Sequence, residues 1–343
     1  TAVVLVNGAP VELPWARQPA ALVEAYLGGQ AGGSALVDVL FGDAEPGGRL
    51  AESFPVAVEE LPSHPNFGNH PTQVQYREGL NVGYRFHDTF GVAPRFCFGH
   101  GLGYSRFEFS DLEVTGEGAD LTVAITVSNV GLRPGSEVVQ VYVHDVESTL
   151  SRPDQELKGF AKVHLAPGES TRVDVPLGRR AFAVYDVASA SWKVEAGEFD
   201  IRVGASSRDI RADATVTIAS DDVITPVPAP AGAIMTDAEF RALLGRALPA
   251  PKPLMPLHLD SSLDDLQGTW LGRQLRGAVM GAVGKNIDLG DDEATLAMMN
   301  AVIGQMPLRG IVANAGGKIS FGMLENVLKV INASAKVPAP RLP

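Results

Sequence analysis

Two stretches of this 343-residue chain concentrate side chains that can do chemistry. Tyr76-Arg77-Glu78-Gly79-Leu80-Asn81-Val82-Gly83-Tyr84-Arg85-Phe86 gathers aromatics, arginines and one carboxylate around two glycines. Shortly after it comes Phe96-Cys97-Phe98-Gly99-His100-Gly101-Leu102-Gly103-Tyr104-Ser105. Aromatic faces beside charged hydrogen-bonding groups are what a sugar site uses; a buried, salt-bridged turn uses the same parts. Tyr76, Glu78, Tyr84 and Arg85 are therefore the candidates, either near a substrate or structuring a loop. A general acid needs burial or a neighbouring negative charge to hold its proton. Glu78 instead stands between Arg77 and Arg85, so it is expected to be a structural ion-pair partner.

Other chemistries find no support. Gly28-Gly29-Gln30-Ala31-Gly32-Gly33-Ser34 precedes a helix, but it lacks both the Gly-Lys-Ser/Thr of a phosphate loop and the Gly-x-Gly-x-x-Gly spacing of a dinucleotide site. The glycines read instead as tight packing points. His64, His70, His87 and His100 have no i,i+4 pairing on a helix, and one cysteine, Cys97, excludes disulfides within the chain and multi-cysteine metal sites. No Gly-x-Ser-x-Gly elbow supports a serine triad. No cofactor and no metal are expected. With 28 Lys+Arg against 40 Asp+Glu the net charge is −12, which argues against nucleic acid as a partner. No apolar run reaches the roughly 18 residues of a membrane span. A single cysteine leans toward the cytoplasm, and no localisation is assigned beyond that.

The elements that must position these residues fall into three regions. Residues 1–105 read as α/β: an apolar run from Ala2 to Val6, a helix over 20–27 and a second helix over 34–41 with Leu36, Val37 and Leu40 as its stripe. The opening run looks like a strand buried on both faces of a parallel sheet, so further sequence is expected upstream of Thr1. Residues 106–219 alternate in about seven short runs separated by turns, which predicts an antiparallel sandwich with Tyr142, Phe182, Trp192 and Phe199 in its core. A Pro-rich linker over 220–234 leads to a helical region, 235–343. There, Thr236-Asp237-Ala238-Glu239 is a capping box, and prolines over 249–256 require extended chain. A helix from Ser261 carries Leu263, Leu266, Trp270, Leu271 and Leu275 on one face, and two more helices span 291–305 and 320–331, with Met298, Met299 and Met306 as core filler.

Tyr-x-Glu-Gly-Leu-x-Val-Gly-Tyr-Arg followed by Phe-Gly-His-Gly-Leu-x-Tyr-Ser closely resembles the family-3 glycoside hydrolases of the β-glucosidase type. Val4 to Val11 with Pro14-Trp15, the stretch from Gly29 to Asp43 and Pro46 to Leu50 agree with it. Glu156-Leu157-Lys158-Gly159-Phe160 resembles the family's fibronectin-III-like domain, and Met306-Pro307-Leu308-Arg309 with Gly316-Gly317-Lys318 a tail found in some bacterial members. The resemblance implies a partial, flavodoxin-like α/β sandwich, then the fibronectin-III-like sandwich, then a helical tail. It also implies hydrolysis of β-linked glucosides with retention by two carboxylates about 5–5.5 Å apart. In the family the nucleophile sits on an N-terminal barrel and the acid/base early in the α/β sandwich, and neither motif has a counterpart here. No catalytic residue is carried over, and the chain alone is expected to be inactive. Its expected partners are a carbohydrate substrate through the intact enzyme and the missing barrel and early sandwich. A homo-oligomer stays open. The other reading is a non-catalytic module for carbohydrate binding or assembly.

Overall fold

The structure is a computed structural model that describes residues 1–67, 74–248, 255–286, 293–314, 316, 317 and 319–334. It forms two compact units: residues 1–65 with 76–247, and residues 66–75 with 248–343.

The first unit opens with β1 (Ala2–Leu5) and β2 (Ala21–Glu24), paired in parallel with Ala2 opposite Ala21 and Leu5 opposite Glu24. The helix expected over 20–27 is thus a strand. So short a segment cannot offset the cost of nucleating a helix, whereas β1 offers it a ready hydrogen-bond ladder. The second expected helix is present as α1 (Gly32–Phe41). It starts two residues before Ser34, whose Oγ donates to Ala31 O instead of capping. None of its residues is buried, and Phe41 is 80% exposed. A short helix, α2 (Tyr84–Thr89), follows.

The alternating region builds β3 (Phe107–Glu117), β4 (Asp120–Asn129), β5 (Gly135–Asp145), β6 (Glu156–Leu165), β7 (Ser170–Leu177), β8 (Val184–Asp186), β9 (Ser191–Lys193), β10 (Gly197–Ser206) and β11 (Asp209–Ile218). Seven of these make two antiparallel sheets, β3-β4-β7 and β11-β10-β5-β6. Period-2 alternation sends Val123, Ile125 and Val127 from one sheet, and Val139, Val141, Phe199, Ile201 and Val203 from the other, into one dry core. Pro176 is tolerated because β7 is an edge strand.

Tyr142, Phe182 and Phe199 are fully buried as expected, but Trp192 is 44% exposed. It belongs to the separate β8–β9 hairpin, outside both sheets, where it faces Tyr185 across the strands. Beyond the sandwich, α3 (Asp237–Leu244) has the expected capping box: Thr236 Oγ1 accepts from Glu239 N, and Glu239 Oε2 accepts from Thr236 N at 2.7 Å.

The second unit holds α4 (Trp270–Asn286), α5 (Glu293–Gln305), α6 (Leu308–Asn314) and α7 (Phe321–Ser334) around Leu263, Leu266, Ile303, Leu308, Leu324, Leu328 and Ile331. The helix expected from Ser261 is broken: a 3-10 turn covers Asp264–Gly268, Thr269 is extended, and α4 starts afresh at Trp270. The break resets the helical phase, so Leu263 and Leu266 are buried while Trp270 is 65% exposed. Met298, expected in the core, is also exposed. Residues 249–254 of the proline-rich stretch lie outside the described residues, as does the Met299 side chain. Asn332 spends its side-chain amide on Leu257, accepting from its N at 2.7 Å and donating to its O at 2.9 Å.

Candidate functional site

The two motif stretches meet within the first unit. Tyr84, at the start of α2, stacks on Phe98 with ring centroids 4.6 Å apart and meets Tyr142 of β5 edge-on at 5.9 Å. Its hydroxyl accepts a hydrogen bond from Leu157 N at 2.7 Å. Burial raises the Tyr84 hydroxyl above the ordinary tyrosine range and raises Tyr142 further. Both are neutral packing and hydrogen-bonding groups at neutral pH. Tyr142 donates to Gln140 Oε1 at 2.6 Å, and Gln140 Nε2 donates to Ala205 O at 2.6 Å and to Gly99 O at 3.2 Å.

This geometry explains the glycines of the second motif. Gly99 has φ 78°, and a Cβ there would collide with the Gln140 amide; one at Gly101 would collide with the backbone of Gly48. The motif is a seam, bringing the 1–104 backbone against the sandwich more closely than any side chain allows. Phe54 closes it from the other side, its N–H donating to Phe96 O at 2.8 Å.

Arg85 reaches from α2 to Glu156 of β6, 3.2 Å away. Arg152 and Lys158 also contact Glu156, each at 3.2 Å, and Arg152 holds the buried Asp145 at 2.8 Å. Burial opposes the Glu156 charge, but Lys158 and Arg152 outweigh it and hold this carboxyl below its usual range. Burial pulls Lys158 down in turn. This carboxylate is fixed in its ionised form, the opposite of what a general acid needs.

Arg77 points elsewhere. It forms an ion pair with Asp237 of α3, its guanidinium lies 5.4 Å from the centre of the Phe240 ring, and its carbonyl accepts from Met235 N at 2.9 Å. Glu78 is buried, at 6% exposure, but neither arginine pairs with it among the described residues, and its Oε2 has no partner. The expected ion pair is therefore not formed: the turn at Gly79 and the start of α2 at Tyr84 send the two arginines to different elements. Tyr76 is exposed. The structure thus brings Tyr84 and Arg85 together at the seam and leaves Tyr76 apart from them.

Two of the exposed aromatics of this region, Tyr185 and Trp192 of the β8–β9 hairpin, form no flat sugar platform. The Tyr185 and Trp192 rings are inclined at 59°, and the Arg180 guanidinium sits 3.0 Å from the Trp192 ring centre, over one of its faces.

Residues 1–104 match the model of the glycosyl hydrolase family 3 C-terminal domain, and residues 137–207 that of the fibronectin type III-like domain. The chain belongs to the C-terminal part of the family-3 glycosyl hydrolases. It is 41% identical over 337 residues to thermostable beta-glucosidase B of Acetivibrio thermocellus, covering 96% of this chain and 40% of that protein. It is 43% identical over 227 residues to an exo-alpha-(1->6)-L-arabinopyranosidase of Bifidobacterium breve, covering 66% of this chain and 30% of that protein. Among solved structures, the GH3 beta-glucosidase of Bifidobacterium adolescentis superposes with a TM-score of 0.63 at 41% identity, over 70% of this chain and 35% of that one. Beta-glucosidase 3B from Thermotoga neapolitana, solved with α-D-glucose, superposes with a TM-score of 0.61 at 40% identity, over 64% of this chain and 31% of that one. The chain thus spans two fifths or less of the length of these relatives.

Glu156, Arg152, Lys158 and Gln140 escaped the sequence reading as members of this cluster. Glu156 and Lys158 are visible there as part of a domain signature, but nothing in their spacing says that Arg85, some 70 residues earlier, will reach them.

Proposed function

We propose that this chain is the C-terminal, non-catalytic portion of a retaining β-glycosidase acting on terminal β-linked glucose or a related sugar, and that it is inactive alone. The observation that carries the reading is the match of residues 1–104 to the C-terminal domain of one hydrolase family, followed in the chain by the fibronectin type III-like match over residues 137–207. The apolar surface of the α/β part supports it. Val6, Leu27, Val37, Leu40 and Phe41 are all exposed around β1, β2 and α1, although burying such side chains is strongly favourable. On this reading, the occupant is the early α/β half and barrel of the enzyme, which belong to the length of the relatives that this chain does not span. Tyr84 and Arg85 then act as loop-structuring residues that hold the seam, and Tyr76 and Glu78 are the remaining substrate-proximal candidates.

The test is hydrolysis of a chromogenic β-glucoside. The chain alone is expected to give no turnover, and turnover is expected to appear when it is joined to the preceding domains of a family member. Robust turnover by the chain alone, abolished by substituting one carboxylate within residues 1–343, overturns the reading.

A further inference from the structure

Glu78 is the one charged side chain of its motif stretch, residues 76–86, with neither a hydrogen bond nor an ion pair. The residue is 6% exposed. Its Oε2 is enclosed and has no donor. Its Oε1 has no donor either but is not enclosed, so it is the oxygen that a partner can reach. A carboxylate in such a place costs free energy until a donor, best a charged one, meets it.

The carboxylate is also held in place. Gly79, at φ 56°, turns the chain directly after it; Gly79 N donates to Tyr76 O at 3.4 Å, and Asn81 N donates to Glu78 O at 2.9 Å. Arg77 is committed to Asp237 and Met235, and Arg85 to Glu156. Neither arginine can turn to Glu78 without giving up its own partner. In the same stretch, Tyr76, Leu80 and Val82 are exposed. Exposed apolar side chains beside a buried unpaired charge mark a surface made to be covered.

Three classes of donor could meet this carboxylate. A metal ion needs several ligands, and no group of three or more His, Cys, Asp or Glu among the described residues is arranged to hold one. A sugar hydroxyl comes and goes with each turnover, so it would leave the charge unpaired whenever the site is empty. A lysine or arginine of a folded neighbour stays in place and carries the opposite charge. The chain covers 40% of thermostable beta-glucosidase B, so the larger share of such a protein lies outside it and can supply that neighbour.

We propose that Glu78 is the acceptor of a buried ion pair whose cation, a lysine or arginine, comes from the early α/β half or the barrel of the intact enzyme, with Tyr76, Leu80 and Val82 as the apolar part of the same contact. The inference rests on the reading of this chain as the C-terminal portion of such an enzyme. It assigns Glu78 to the contact between domains and not to the sugar.

Glu78→Gln tests this, because the amide keeps the shape and removes the charge. Thermal unfolding midpoints are measured in sugar-free buffer for two proteins: the 343-residue chain, and the whole enzyme in which it follows the preceding domains. In the chain alone the substitution removes an unpaired buried charge, so the midpoint should hold or rise by about 1–3 °C. In the whole enzyme it breaks a pair and strands the cation, so the midpoint should fall by roughly 5 °C or more. Failure of the whole-enzyme variant to fold while the chain variant folds is the extreme of the same result. A midpoint that falls in the chain alone, or a chain variant that does not fold, overturns the proposal, since the carboxylate then already has its partner there. A midpoint that holds or rises in the whole enzyme overturns it too; where that variant also loses the midpoint rise that glucose gives the unsubstituted enzyme, Glu78 is a sugar contact. Turnover of a chromogenic β-glucoside by the unsubstituted whole enzyme reports on the glycosidase reading separately. Turnover without the fall in midpoint sinks this inference alone, whereas absence of turnover sinks the reading whatever the midpoints show.

Discussion

The β-sandwich and the α/β segment that precedes it belong to one compact unit, yet they satisfy their apolar surface in opposite ways. In the sandwich, β4 of one sheet packs against the neighbouring β5 and β10 of the other, and Val123, Ile125, Val141, Phe199 and Ile201 are fully buried. In the α/β segment, a two-stranded parallel sheet and one helix present Leu27, Val37, Leu40 and Phe41 outward. Parallel sheets are stable only when both faces are covered, whereas two antiparallel sheets cover each other. The sandwich closes its own core; the α/β segment leaves these apolar side chains exposed in this chain.

Four measurements sharpen or break this contrast. Truncating Ile201 to Ala in the sandwich is expected to cost about 3–4 kcal/mol in urea unfolding, because it leaves a cavity in a closed core. Gly99→Ala strikes the seam joining the two regions. The left-handed backbone and the collision with Gln140 predict a loss of about 2–3 kcal/mol. A loss below that of an ordinary surface substitution would mean that the close approach is not needed.

The third measurement titrates the seam. Burial pulls His87 of α2 and His100 of the second motif below the ordinary imidazole range. As pH falls through the unfolded value of about 6.5, the unfolded chain takes up these protons first. Their contribution to stability is therefore fully present above that value and is lost on acidification. Urea midpoints should drop between about pH 7.5 and about pH 6, above the carboxylate range, and His87→Gln should flatten the drop. A midpoint that rises over this window contradicts the burial assigned to them. The smallest effect belongs to α1: Leu40→Ala should cost less than about 0.5 kcal/mol in this chain. If it costs as much as Ile201→Ala, the contrast between the two regions fails.

The sandwich was legible in the sequence because its alternation is strict and its turns are marked: the runs around Val123, Val141 and Ile201 could fold only one way without burying polar groups. The capping box at Thr236 was equally readable, since every partner lies within four residues. The strand at Ala21–Glu24 was not, because its state is decided by β1, some 19 residues away, and not by its own helix-forming composition. Trp192 and Trp270 show the same limit. Each sits in an apolar pattern, but a hairpin outside the sheets and a break before α4 turn them outward. At the candidate site the residue types of Tyr84 and Arg85 were visible, while their partners, Leu157 and Glu156, are supplied by a strand more than 70 residues later. Glu78 between two arginines looked like an ion pair because adjacency in sequence suggests adjacency in space; a turn and a helix start remove it.

The attachment of α3 to Arg77 has a practical consequence for anyone handling this protein. The segment from Asp221 to Ala231 leaves the sandwich and returns to the same unit, where the Met235 backbone and Asp237 fasten it to Arg77. It is a closed loop, not a tether. A protease cut at Val227 should therefore leave the two pieces co-eluting on a sizing column, with the nick visible only after denaturation.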